Sequence, residues 1–173
     1  MKYLVILLSL VNLSMAGQTV DEIAVLKHEV LRCSKEYAGT ETVVNDSLLI
    51  SRHKNLSLSN YPNLKERLVK FKLLSDDEAA EVFGSDTDNL FNLPDETEML
   101  SWEPKDFSNL RVKFFTHHEN KIPPSTISLS DPVFRKDNKY AMIVAFHTRD
   151  RGSLSFYKNT GSEWVAYKSI EFE

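Results

Sequence analysis

Lys139-Tyr140-Ala141-Met142-Ile143-Val144-Ala145-Phe146-His147-Thr148 (residues 139–148) is the most apolar run of the chain beyond residue 16. Side chains alternate between the two faces of a strand. Tyr140, Met142, Val144 and Phe146 therefore share one face, and Ala141, Ile143 and Ala145 the other. Apolar residues on both faces assign this strand to the centre of a sheet. On either side the period stays at two. Strands are expected over Arg111–Thr116, over Thr126–Phe134 with Ile127 and Leu129 facing one way, over Ser153–Lys158 and over Glu163–Phe172. The links Arg135–Asn138, Asp150–Gly152 and Asn159–Ser162 are short and turn-rich. Short links join antiparallel neighbours. The expected fold class is α+β, with an antiparallel β-meander of about five strands in the C-terminal half. The N-terminal helices should pack on one face of it.

Upstream the period is helical. Ile23, Leu26, Val30, Cys33 and Tyr37 recur at spacings of three and four, which predicts a helix over Val20–Glu36. Thr19 with Glu22 makes a capping box, Asp21 and Glu22 suit the positive end of the helix dipole, and Gly39 is a stop. Thr42–Val44 and Leu48–Ile50, parted by Asn45-Asp46-Ser47, read as a bulged strand or small hairpin. Ser51–Asn63 reads as a polar loop. Leu64, Leu68 and Phe71 lie on one side of one or two helical turns. Ser75-Asp76-Asp77-Glu78 is a second capping box, opening a short helix that ends near Phe83 with Gly84 as its cap. Ser85–Asp106 is an acidic, irregular connection carrying Trp102.

The first residues read as a secretory signal. Lys2 precedes the apolar stretch Tyr3–Leu13, and Ser14-Met15-Ala16 places small residues as a cleavage site requires. That stretch falls well short of the roughly 20 residues that span a bilayer. The expected organisation is a signal peptide over 1–16 and a single α+β domain over 17–173, exported to the periplasm or the external medium and without stable membrane insertion after cleavage. The net charge of −4 provides no basic field for nucleic acid. Cys33 is the only cysteine, so no internal disulfide forms, and it reads as a small core hydrophobe. No cysteine follows the apolar stretch directly, so a lipid-modified N-terminus is not expected.

Few residues suggest chemistry. His117-His118-Glu119 could offer metal ligands, but adjacent strand residues face opposite ways and no further ligands lie at the usual spacing. His147 with Arg149, Asp150 and Arg151 lies where the central strand ends, and two arginines there could clamp a carboxylate or phosphate. The plainer reading is a charged, soluble hairpin tip. Trp102, if exposed, would favour sugar or peptide binding. No nucleophile elbow and no glycine-rich phosphate loop occurs. Asp86-Thr87-Asp88-Asn89 lacks the later glycine and glutamate of a calcium loop. No cofactor and no metal is expected. The candidate binding residues are His147, Arg149, Arg151, His117 and Trp102.

Ser128–Phe134, then Asp137 with Lys139-Tyr140-Ala141, then Gly152, Tyr157-Lys158, Gly161 and Trp164, follow one pattern. A strand ending in Pro-x-Phe leads through a turn to an apolar strand, then to a hairpin carrying Gly and Trp. Phe71–Ser75 before a short acidic helix adds to it. The pattern resembles a loose set of uncharacterised exported bacterial α+β proteins, over roughly the last 50 residues. Many of that set have a Cys- and Gly-rich turn where this chain has His147–Gly152. The resemblance implies an exported α+β domain and no particular activity. A cystatin-like or nuclear-transport-factor-like sheet over a helix would fit the element order, as fold analogy only. The expected function is a non-catalytic binding or structural role in the cell envelope or outside the cell, with a protein as a possible partner. One alternative is a small hydrolase or metal-dependent enzyme using His117, His118 or His147. Another is an immunity or inhibitor protein whose acidic surface masks a basic partner.

Overall fold

The computed structural model describes residues 20–38, 43–44, 47–52, 63–84, 91, 104–115, 126–147 and 151–172. A first helix, α1, covers 20–36. Then follow β1 (Val43–Val44), β2 (Ser47–Arg52), α2 (Leu64–Lys70), α3 (Asp76–Phe83), a 3-10 turn at Pro104–Phe107, β3 (Val112–Phe115), β4 (Ile127–Leu129), β5 (Val133–Phe134), β6 (Tyr140–Phe146), β7 (Gly152–Asn159) and β8 (Trp164–Phe172). The architecture is α+β, as the periodicities predict.

β6 is central. It pairs antiparallel with β4 and β5 on one side and with β7 on the other, and β7 pairs antiparallel with β8. The run expected as one strand over 126–134 is two. Ser130-Asp131-Pro132 parts them, and Pro132 has no N–H to offer the ladder. Ser130 holds the break in register: its N–H donates to Val144 O at 2.9 Å, and its Oγ accepts from Val144 N at 3.0 Å. The N-terminal strands extend the sheet in the other sense. β2 lies parallel to β4 and also parallel to β3, with Ile50 opposite both Ile127 and Phe114. β1 and β2 form the small antiparallel hairpin.

The two faces of β6 carry separate cores. Ala141, Ile143 and Ala145 pack with Val25, Leu26, Val30 and Cys33 of α1 and with Tyr157. Met142 and Val144 pack with Leu68, Leu74, Ala79, Val82 and Phe83 of the α2–α3 segment, and with Leu154, Phe156 and Ile170. The helices thus cover both faces, not one. The reason lies in β6 itself: two apolar faces need two covers.

Local chemistry fixes the helix ends. Ser75 Oγ accepts from Glu78 N at 3.1 Å while the Glu78 carboxylate accepts from Ser75 N at 2.8 Å, completing the capping box. Gly84 closes α3 at φ 77, a left-handed conformation that suits glycine. Beyond it, buried Arg135 donates to the last carbonyls of α3, Glu81 O at 2.7 Å and Val82 O at 2.9 Å. Its other edge is paired with Asp137. The Glu81 carboxylate accepts from Lys158 at 2.7 Å, from Tyr167 at 2.9 Å and from Tyr140, tying α3 to β6, β7 and β8. Those donors hold its pKa down at about 2. At the start of α1, Asp21 accepts from Trp164 Nε1 and Asn138 Nδ2, both at 2.9 Å, while Trp164 packs edge-on against Phe134.

Candidate functional site

The strand alternation that puts Ala145 on the α1 face puts His147 there too. Its ring is buried, stacks on Tyr37 at 4.9 Å and places Nε2 3.0 Å from Ser153 Oγ. Among the described residues, its Nδ1 has no hydrogen-bond partner. Burial and the neighbouring Arg32 guanidinium push its pKa below the ordinary histidine value, which favours the neutral ring. Arg151 is exposed and meets His147 through the backbone, where its carbonyl accepts the His147 N–H at 2.9 Å. The His147 side chain thus turns in toward α1, away from the hairpin tip. Arg149, His117 and Trp102 lie outside the described residues.

His147 is instead one end of a polar seam between α1 and β7. Glu29 is fully buried on the otherwise apolar face of α1. It accepts from Tyr157 OH at 2.6 Å and forms an ion pair with Arg32 at 2.6 Å. Arg32 also donates to Ser153 Oγ at 2.7 Å, and Ser155 Oγ donates to Glu29 at 3.4 Å. Burial and the Glu29 charge raise both the Cys33 thiol and the Tyr157 hydroxyl far above their usual ranges, so both stay protonated. Outside the seam, Arg32 pairs with Glu36 at 2.8 Å and reaches Glu171 at 3.8 Å. Burial and the nearby Glu36 raise the Glu171 pKa.

Serine beside histidine is the geometry of a nucleophile and its base. Here Arg32 occupies the Ser153 oxygen, no carboxylate orients Nδ1, and Ser153 is 0% exposed. A scissile carbonyl has no way to reach that oxygen. The seam is closed chemistry: its hydrogen bonds place α1 on the sheet.

On the opposite face, the described residues leave a strip beside α2 open. Val144, Leu154 and Ile170 are direct cross-strand neighbours on β6, β7 and β8. They form the floor of a groove of about 240 Å³ whose wall is Leu64, Arg67, Leu68, Phe71 and Leu73, with Phe172 at its end. Phe71 is 62% exposed and Leu73 38%. Both follow the last turn of α2, where Lys72 at φ 57 turns the chain back and the Leu73 and Leu74 N–H groups bond to Leu68 O. That turn buries Leu74 and leaves Phe71 and Leu73 in water.

Gly152 shapes the floor. A Cβ there would lie 2.6 Å from Phe172 Cε2 and 2.8 Å from Ala145 O, so the missing side chain lets the Phe172 ring lie over the strand. Phe146 braces that ring edge-on at 5.6 Å. The sequence reading makes Gly152 a turn residue, whereas it begins β7 and is buried. It also treats Leu64, Leu68 and Phe71 as one packing stripe. The available signal was Phe71-Lys72-Leu73-Leu74: three large apolar residues within four cannot all face one core.

Among the described residues, no three His, Cys, Asp or Glu side chains cluster to hold a metal, and no helix is long and apolar enough to cross a membrane. No protein-family model, no curated protein and no solved structure matches the chain.

Proposed function

We propose that this chain is an exported, non-catalytic binding domain whose partner places an apolar group in the groove between α2 and the sheet. One observation carries the reading: an open apolar concavity flanked by exposed Phe71 and Leu73. Large apolar side chains left in water beside an apolar hollow mark binding surfaces. The closed seam on the other face supports the non-catalytic part. The leader over 1–16, read from sequence, supports export.

Binding is tested with the neutral dye N-phenyl-1-naphthylamine. Its fluorescence should rise on the folded domain. Phe71→Ser with Leu73→Ser should weaken its affinity about tenfold, equivalent to about 1.4 kcal/mol, while the urea midpoint holds. Equal enhancement by both proteins would overturn the reading. Export is tested by the mass of protein released from expressing cells: a chain starting at Gly17 is expected, and a retained full-length chain overturns it.

The hydrolase alternative would have to use the 3.0 Å contact of His147 with Ser153, which burial and Arg32 close off. Ser153→Ala would abolish any ester hydrolysis by the purified domain if it held, and hydrolysis is not expected from the parent.

A further inference from the structure

The occupant of the groove can be named more closely, on the premise that the groove is the binding site. Its floor and inner wall present no polar side chain: Val144, Leu154, Ile170, Phe172, Leu64 and Leu68 are all hydrocarbon. A polar group placed there would lose its hydration without a partner. Any polar group of the ligand must therefore sit at the mouth.

The mouth is positive. Among the described residues, Arg67 is the one charged residue lining the groove; it is exposed, and no described residue holds its guanidinium by a hydrogen bond or an ion pair. Lys70 and Lys72 flank Phe71 and are exposed as well. Three other cations on this side are engaged. Lys65 donates to Gly84 O at 2.7 Å, Lys158 pairs with Glu81 at 2.7 Å, and Lys168 pairs with Glu78 at 2.6 Å. Arg67 thus stands over an apolar hollow with its fork of donors unused. A guanidinium fork matches a carboxylate with two parallel hydrogen bonds. The hollow, at about 240 Å³, lies below the roughly 300–1,000 Å³ of sites for drug-sized ligands. It suits a short, flexible hydrocarbon.

We infer that the groove binds a medium-chain aliphatic carboxylate, with the hydrocarbon on Val144, Leu154 and Ile170 and the carboxylate on Arg67. The oxyanion stays at the rim, half in water, where Lys70 and Lys72 add to the attraction.

The test uses the folded domain with octanoate, octan-1-ol and octylammonium below their aggregation limits, each displacing N-phenyl-1-naphthylamine. Octanoate should displace the dye at a concentration about tenfold lower than octylammonium, with the alcohol between them. Arg67→Glu should reverse the order of the two ions, with the urea midpoint unchanged because the side chain is exposed. If octan-1-ol matches octanoate, or if Arg67→Glu leaves the order as it was, the carboxylate assignment is wrong while the apolar groove stands. If the dye binds and none of the three displaces it, the assignment also fails. If the dye itself does not bind, the groove reading fails with it.

Discussion

One sheet carries two different helix contacts. On the α1 face, a buried glutamate, an arginine, two serines, a tyrosine and a histidine bond to one another and shut out solvent. On the α2–α3 face, polar links lie around α3, and the strip beside α2 is hydrocarbon left partly open. Polar groups inside a protein demand partners, so they define one arrangement and penalise any other. Hydrocarbon accepts any apolar neighbour. The first face is therefore fixed, and on the proposed reading the second receives the partner's apolar group.

The largest expected effect is at Glu29. Glu29→Ala removes the acceptor of Tyr157 and the buried one of the counter-charges of a guanidinium that is only 22% exposed. Breaking a buried pair from one side costs about 3–5 kcal/mol. Urea unfolding should show a loss of that order. The combined change Glu29→Leu, Arg32→Met and Tyr157→Phe should restore most of it, since removing all partners leaves nothing unpaired. A single variant as stable as the parent would remove the distinction between the two faces.

Gly152→Ala comes next and reaches both functions of the open face. The new methyl group meets a ring at 2.6 Å, which can move, and a backbone carbonyl at 2.8 Å, which cannot easily yield. Overpacking of this kind costs about 1–3 kcal/mol. Displacing Phe172 should also raise the dye concentration needed at the groove. An unchanged urea midpoint would show that β7 has slack the close contacts deny.

The sheet was readable because β6 alternates cleanly and its turns are short. Both helix starts of interest carried capping residues, and the one at Ser75 forms as its spacing predicts. The expectation of helices on one face missed what the same alternation implied: Met142 and Ile143 point apart, and a single helical layer leaves one of them wet. The parallel entry of β2 was not readable. It rests on pairing of Ile50 with Phe114 and Ile127, more than 60 residues away, and local pattern carries no such information. Glu29 lies three residues after Leu26 and four before Cys33, so its spacing put it on the buried face, but its charge suggested solvent. His147 was singled out as a candidate binding residue at the hairpin, and its side chain turns inward instead, as alternation from Ala145 requires. The groove depends on where α2 comes to rest over three strands, which no segment of sequence shows alone.

Acid should separate the faces in sequence. His147 has a folded pKa below its ordinary 6.5, from burial and then Arg32, with Glu36 and Glu29 opposing. Below 6.5 the unfolded chain binds more protons, so the stability that neutral His147 contributes is present above that pH and is lost as pH falls. Glu81 has its pKa lowered from 4.5 to about 2 by Lys158, Tyr140 and Tyr167, so its contribution is lost only between those values. Glu171, raised by burial and Glu36, works the other way and stabilises as pH drops toward its pKa. His147→Gln should flatten the fall of the urea midpoint below pH 6.5 relative to the parent. Glu81→Gln should lower the urea midpoint above about 4.5 and approach the parent as pH falls toward about 2. Parallel curves for parent and His147→Gln would mean that the seam does not sense acid.

The smallest effect on stability is expected at Phe71, and it discriminates best. Phe71 already has 62% of its surface in water, so Phe71→Ser removes little that folding buries. Surface changes of this kind stay within about 0.5 kcal/mol. Leu68, three residues earlier on the same helix, is 6% exposed, and Leu68→Ser should cost several times more. If both variants lose dye binding and only Leu68→Ser lowers the urea midpoint, Phe71 is held in water for something other than the fold. If Phe71→Ser destabilises as much as Leu68→Ser, the ring is part of the core, and the second face is as closed as the first.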